Sequence, residues 1–375
     1  MSFLALLARV GATTPAPVDP PTPAQVPTGY AFHEEIAAPA LASGVSVTDA
    51  PTATGTAYPW DSPQITRLGL VPSVGNGRVT NALSIGEPSG FAVEFLHDGT
   101  TFDVEFGGAS GYSRKAFVWV DGKPTAETPV IGAGAGAFRV TFATPATRTI
   151  LVEIDMSSTY IGFVGIRTNG AIAATNKPRR RVLLYGDSWI QGTGGTKLRN
   201  LGWLAGRYLD ADVYYHGLGG TAYGTNGSGP NDYAADWRIA QVAPSDPHEV
   251  VVCGSINSGS NNTEGAALFY QKIATALPRA RIIVIGRQSY GDASNDKGVD
   301  ADIKAAADAA PNVIGYVSPR AEKWITGTGD SLSGTGQAAL YHNGENRNHL
   351  TAAGNLYYAE MTAKAIARLL PVTAS

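Results

Sequence analysis

The sequence predicts two architectures in series: an all-β module over residues 29–175, then a three-layer α/β/α domain built on a parallel sheet over residues 176–375. Three observations predict this. From 30 to 174, short runs rich in alternating, β-branched and aromatic residues are each closed by Gly, Pro, Asp or Asn. After 181 the runs become uniformly apolar and alternate with helical patterns, as expected of βαβ units whose sheet is covered on both faces. The chain then finishes on a helical period, with Leu356, Ala359, Ala363, Ile366 and Leu370 on one face and Pro371 as the stop.

The elements follow in order. Residues 1–28 are an N-terminal segment and a Pro-rich linker. The opening MSFLALLARVGA is short in apolar residues and interrupted by Arg9, so it is expected as a tail or a segment docking on a larger assembly rather than a cleaved leader. TTPAPVDPPTPAQVPT at 13–28 is expected to be extended and semi-rigid. FAVEFLHDG, TFDVEFGG, RKAFVWVDGKP, FRVTFATP and TILVEIDM read as strands, and the Asp-Gly pair at 121–122 as a hairpin turn. Many short strands at this spacing predict a β-sandwich or jelly roll. In the second half VLLYG, DVYYHG, HEVVVCG, RIIVIG and NVIGYVS read as strands. NLGWLAGRYLDA, EGAALFYQKIATAL, a stretch near 300–310 and the C-terminal period read as helices.

Composition removes several function classes. A net charge of −3 gives no electrostatic footprint for nucleic acid. No run approaches the roughly 18 apolar residues of a membrane span, so none is expected. Cys253 is the single cysteine, which rules out an intramolecular disulfide; closing an apolar run, it is expected to be a buried, inert thiol. No His, Cys, Asp or Glu cluster has metal-ligand spacing. GLGGTA at 217–222 fits a dinucleotide fingerprint, but YGTNGSGPND follows it where a helix is required. No metal or cofactor is therefore expected.

The tripeptide Gly-Asp-Ser occurs at 186–188 and again at 329–331. Reactive groups in an open parallel sheet sit beyond the carboxyl ends of the strands. Ser188 stands there, behind the apolar residues 182–185, whereas Ser331 lies among glycines and reads as a loop residue. A serine nucleophile needs a base, for which His349, just before the last helix, is the candidate. Acyl transfer also needs donors for a developing oxyanion. Gly219 and Gly220 follow the second strand and Asn257 follows the third, at the same edge. Trp189, next to the serine, is expected to line a substrate cleft.

These blocks resemble the SGNH, or GDSL-type, hydrolases over about 176–372, roughly half the chain. YGDSW resembles the nucleophile motif, GLGGT the second block, GSINS the third and NRNHLTAAG the last. The resemblance implies a flavodoxin-like domain and cofactor-free ester hydrolysis. Ser188 would be the nucleophile and its own N–H an oxyanion donor, together with Gly220 and Asn257, with His349 as general base. Two positions depart from the pattern: Ser258 stands where the family has Asp, and Asn346 stands where an Asp precedes the histidine by three residues. In a Ser-His-Asp triad that carboxylate holds the imidazole tautomer. Here Glu345 replaces it, a backbone carbonyl orients His349 in a dyad, or the site is weak.

A β module ahead of this hydrolase type resembles carbohydrate-directed esterases, which implies removal of acyl, acetyl-like groups from a carbohydrate or cell-envelope polymer. The Pro-rich arm and the Ala/Gly-rich chain also resemble actinobacteriophage minor tail proteins. That implies an extracellular or virion-associated glycan-binding protein, with a weak or inactive hydrolase domain, joined to a larger particle through its N-terminal segment.

Overall fold

The computed structural model describes residues 26–36, 40–50, 52–83, 90–155, 161–192, 199–224, 232–254, 256–258, 262–287, 298–328, 332, 334–342 and 349–372. The N-terminal tail and most of the Pro-rich linker therefore lie outside the described residues. The first half holds strands β1 (Val45–Ala50), β2 (Thr56–Pro59), β3 (Thr66–Leu68), β4 (Pro72–Gly75), β5 (Arg78–Asn81), β6 (Phe91–His97) and β7 (Thr101–Gly108). It continues with β8 (Ser113–Val120), β9 (Lys123–Pro124), β10 (Val130–Ala133), β11 (Gly136–Phe142), β12 (Arg148–Asp155), β13 (Ile161–Thr168) and β14 (Ile172–Ala173). All pair antiparallel, in two sheets. One runs β1-β11-β7-β13-β5-β4 with β2 on β13; the other runs β10-β8-β12-β6-β14 with β3 on β6 and β9 on β8. The β8–β9 turn is the expected hairpin, with Asp121 at φ 49° and Gly122 at φ 79°, the left-handed pair that an Asp-Gly turn supplies.

The two sheets share one core: Val104, Phe106, Phe138 and Phe163 come from the first, and Phe91, Val93, Val118 and Val152 from the second. The second sheet is also covered on its other face. There Ala92, Phe117, Trp119 and Leu151 join a core with Trp203 and Tyr208 of the α/β half. Burial of both faces accounts for the unbroken apolar run AFVWV in β8, where a one-sided strand would alternate. At this seam the indole N–H groups of Trp119 and Trp203 both donate to Glu153, at 2.9 and 3.0 Å. The Arg207 guanidinium lies 4.8 Å from the Trp119 ring. Residues 30–33 also pack on the α/β half: Tyr30 N–H donates to the Leu370 carbonyl at 2.8 Å, and Phe32 stacks on Tyr208 at 5.3 Å.

The second half holds β15 (Arg181–Gly186), β16 (Asp212–Gly217), β17 (Glu249–Cys253), β18 (Arg281–Ile285) and β19 (Val313–Val317). All are parallel, in the order β16-β15-β17-β18-β19. The helices are α1 (Ser188–Gln191), α2 (Leu201–Tyr208), α3 (Asp236–Val242), α4 (Asn262–Ala276), α5 (Val299–Ala309), α6 (Gly336–Tyr341) and α7 (Ala352–Leu369). Successive strand residues feed opposite cores. Val182, Leu184 and Val251 pack with α2 and α7; Leu183, Tyr185, Val250 and Val252 pack with α3, α4 and α5. The side chains at 182–185, 250–253 and 282–285 thus each have an apolar destination, which is why these runs are apolar throughout, whereas Ile314 on the edge strand β19 is exposed. The period read in the last helix is also met, since Ala359, Ala363 and Ile366 are fully buried.

Candidate active site

In this strand order the chain leaves β15 for one side of the sheet and returns to the other. The crevice therefore opens at the carboxyl ends of β15 and β17. Ser188 is the first residue of α1, immediately past β15, and is 5% exposed. Asp187 caps that helix: its Oδ1 accepts from Trp189 N–H at 2.9 Å, satisfying an amide that the first turn leaves orphaned. Its Oδ2 accepts from Ile256 N–H at 3.3 Å and from the Asn257 side-chain amide at 3.4 Å. Asn257 also donates to the Thr221 carbonyl at 3.1 Å. One buried carboxylate therefore ties the start of the serine helix to the loop after β17.

The loop after β16 is held as closely. Gly219 N–H donates to the Gln191 side-chain oxygen at 2.8 Å, and a Cβ at 219 would lie 3.6 Å from the Ser188 Cβ. Gly220 has φ 74°, and a Cβ there would meet nothing within 4 Å. Its glycine thus serves backbone conformation rather than space. The Ser188 hydroxyl, the Ser188 N–H and the Gly220 N–H have no hydrogen-bond partner among the described residues. Ser188, Gly220 and Asn257, predicted as one constellation, are brought to one sheet edge.

His349 is held by other elements, in the loop before α7. The adjacent Leu350 bridges to His342, whose ring centroid is 6.2 Å from that of Trp189. Burial lowers the His349 pKa from its ordinary 6.5, and its buried Nδ1 has no hydrogen-bond partner among the described residues. Ser188 and His349 share no hydrogen bond. Asn346 and Glu345 fall outside the described residues, as does the second Gly-Asp-Ser copy with Ser331. Among the described residues no group of three His, Cys, Asp or Glu is placed to hold a metal ion, and no helix is long and apolar enough to cross a membrane.

Trp189 corrects an expectation. It is 4% exposed and packs edge-to-face on Tyr358 at 5.1 Å, inside the core rather than along a cleft. Consecutive helical residues diverge by about 100° of rotation, so a side chain next to the site serine is turned away from it. Cys253 is buried as expected, and burial pushes its thiol pKa far up.

Sequence reading missed Arg238, on α3. It is fully buried, donating to the Thr221 hydroxyl and to the Gly186 carbonyl, both at 3.0 Å. Its guanidinium lies 4.4 Å from the Tyr185 ring centroid. His216 sits 3.4 Å from it; burial first, and the Arg238 charge second, push His216 down to about 3, so the imidazole is neutral. A sequence signal was available only in the placement of an Arg between apolar residues in DWRIAQV.

No protein-family model matches the chain, and no curated protein is significantly similar to it. Solved structures share its fold. A salicylyl-acyltransferase from a tetracycline biosynthetic pathway is 16% identical with a TM-score of 0.61, over 88% of this chain and 100% of that one. An acetyl xylan esterase from the rumen bacterium Butyrivibrio proteoclasticus is 11% identical with a TM-score of 0.61, over 85% and 100%. A family two carbohydrate esterase from Clostridium thermocellum, in complex with cellohexaose, is 14% identical with a TM-score of 0.58, over 88% and 100%. Coverage of this extent spans the antiparallel sheets as well as the parallel one.

Proposed function

We propose that the chain is a serine ester hydrolase of SGNH type that removes acyl, acetyl-like groups from a carbohydrate or cell-envelope polymer. The observation that carries this reading is the meeting of Ser188, Gly220 and Asn257 at one sheet edge, with the hydroxyl and two amides left unbonded among the described residues. The Ser188 oxygen attacks the ester carbonyl carbon while the His349 imidazole takes its proton. The carbonyl electron pair moves onto oxygen, where the N–H groups of Ser188 and Gly220 donate to it, joined by the Asn257 amide once that gives up its 3.4 Å bond to Asp187. Collapse expels the alcohol half, which takes the proton back from His349 and leaves acyl-Ser188. Water repeats the two steps, releasing the acid and restoring the serine. Each step uses groups of this chain and water.

Fold-sharing proteins that act on acetyl xylan or hold cellohexaose support a polysaccharide ester as substrate; an extracellular or virion-associated place of action is part of the proposal. Assembly into a larger particle would rest on the N-terminal tail, outside the described residues. The unpartnered Nδ1 of His349 favours a second reading, a glycan-binding protein with a weak hydrolase site. In a triad, exchanging the orienting carboxylate for an amide costs about 10⁴ in rate.

Hydrolysis of p-nitrophenyl acetate and of acetylated xylan by the wild type and Ser188→Ala tests the proposal. A loss of about 10³-fold or more is expected, with the melting temperature unchanged. Equal rates in the two proteins overturn the esterase reading; retained xylan binding with equal background turnover favours the glycan-binding one. Asn346→Asp is expected to raise kcat about tenfold if no carboxylate now orients His349. An unchanged rate there, with loss in Glu345→Gln, assigns that carboxylate to Glu345.

A further inference from the structure

We infer that Arg238 is a positioning residue that sets the oxyanion donors against Ser188, an inference that rests on the esterase reading for its consequence but not for its geometry. A fully buried guanidinium is expensive to hold, and such groups are ordinarily paired with a carboxylate. Arg238 has no carboxylate hydrogen bond among the described residues. Its acceptors are the Thr221 hydroxyl and the Gly186 carbonyl, with His216 at 3.4 Å, and its Nε has no partner. An apolar side chain of similar length would fill the space between Tyr185 and Tyr233 without that cost, so the fork itself is what the position uses.

The two acceptors lie on different segments, Gly186 at the end of β15 and Thr221 in the loop after β16. Gly186 is two residues before Ser188, and Thr221 is the residue after Gly220. The planar guanidinium holds its two Nη atoms at a fixed separation, so bonding both acceptors sets the distance between the serine elbow and the Gly220 turn. Thr221 passes the constraint on, because its hydroxyl donates to Leu218 O at 2.6 Å and its carbonyl accepts from Asn257. A single side chain therefore braces all three donor-bearing positions. Its positive charge, in a water-excluded setting, also has the sign that a developing oxyanion attracts.

The test compares Arg238→Met, Thr221→Val and Thr221→Ser by kcat and KM on p-nitrophenyl acetate, and by backbone amide exchange over residues 217–222. Arg238→Met and Thr221→Val are expected to lower kcat about 10- to 100-fold, with KM moving less than about threefold. Exchange in that segment should rise about tenfold in the same two variants. Thr221→Ser keeps the hydroxyl and recovers most of the rate and the protection. If Arg238→Met does not fold, Thr221→Val carries the test alone. A folded Thr221→Val with wild-type exchange overturns the brace, as does loosened exchange with unchanged kcat. If Ser188→Ala retains turnover the esterase reading falls, while amide exchange still decides whether Arg238 holds the two segments.

Discussion

At the amino-terminal edge of the parallel sheet, Glu249 takes hydrogen bonds from Arg180, from Arg281 at 2.6 Å and from Tyr30 at 2.5 Å, and Asp212 takes one from the Gly69 amide at 2.6 Å. At the carboxyl edge, Ser188 and Gly220 leave a hydroxyl and two amides without partners among the described residues, and in the loop before α7 His349 leaves a buried ring nitrogen without one. Both edges include a buried polar side chain, Glu249 at one and Ser188 at the other; they differ in whether the fold itself satisfies it. A buried donor or acceptor without a partner costs about 1–3 kcal/mol. The open groups persist because Asp187, Gln191 and Arg238 fix the backbone around them. At one edge the fold satisfies its polar groups, and at the other it leaves them open, as the proposed hydrolysis requires.

The largest expected effect that would break this comparison is at the closed edge. Burial alone would raise the Glu249 pKa, yet the hydrogen bonds from Arg180, Tyr30 and Arg281 hold it below the ordinary carboxylate value. Glu249→Ala leaves the mostly buried Arg180 without its carboxylate and should cost about 3–5 kcal/mol in chemical denaturation. The kcat of the folded fraction should stay within about twofold, since the change lies at the far end of the strand. A collapse of kcat without loss of stability would erase the distinction between the edges.

A smaller effect is expected at Asp212. Burial raises its pKa to about 6 from the ordinary 3.8, against the Gly69 amide, which lowers it. The folded state thus holds the proton more tightly than the unfolded state. This contribution to stability is full below about pH 4 and lost as pH rises through 6. Asp212→Asn keeps an acceptor for Gly69 and does not titrate. It should be more stable than wild type at pH 8 by up to about 2 kcal/mol, allowing for partial exposure of the side chain, with the gap closing towards pH 4. A gap independent of pH would show that the carboxylate is not the cause.

The smallest effect sharpens the open edge. Burial holds His349 below its ordinary 6.5, and a general base must be neutral, so kcat/KM should fall on the acid side with an apparent pKa below 6.5. In Asn346→Asp that limb should move to higher pH, because a carboxylate beside the ring stabilises the imidazolium. A wild-type limb above 6.5 would reveal an acidic partner already in place.

Much of this was legible in the sequence, for identifiable reasons. β15, β17 and β18 are apolar on both faces because helices cover both, and that pattern needs no knowledge of the partners. The Asp-Gly turn at 121–122 was equally plain, since its φ values follow from residue type. Strands such as β4, whose residues are all exposed, carry no apolar period and left no trace to read. The short α3 follows a Gly, Asn and Pro-rich stretch with no helical period long enough to detect. Trp189 was misread because adjacency in sequence to a site residue says nothing about direction once a helix begins.

By itself the sequence determined the order of elements, the parallel sheet, and which serine stands at a strand end, because these follow from local periodicity and turn chemistry. Only the tertiary structure decided how the donors are aimed. Asp187 reaches residues 256–257, Gln191 reaches Gly219, and Arg238 spans Gly186 and Thr221. Those bonds join positions up to 70 residues apart. No local pattern encodes them, because they arise from the closeness of strand ends that the sheet order alone creates.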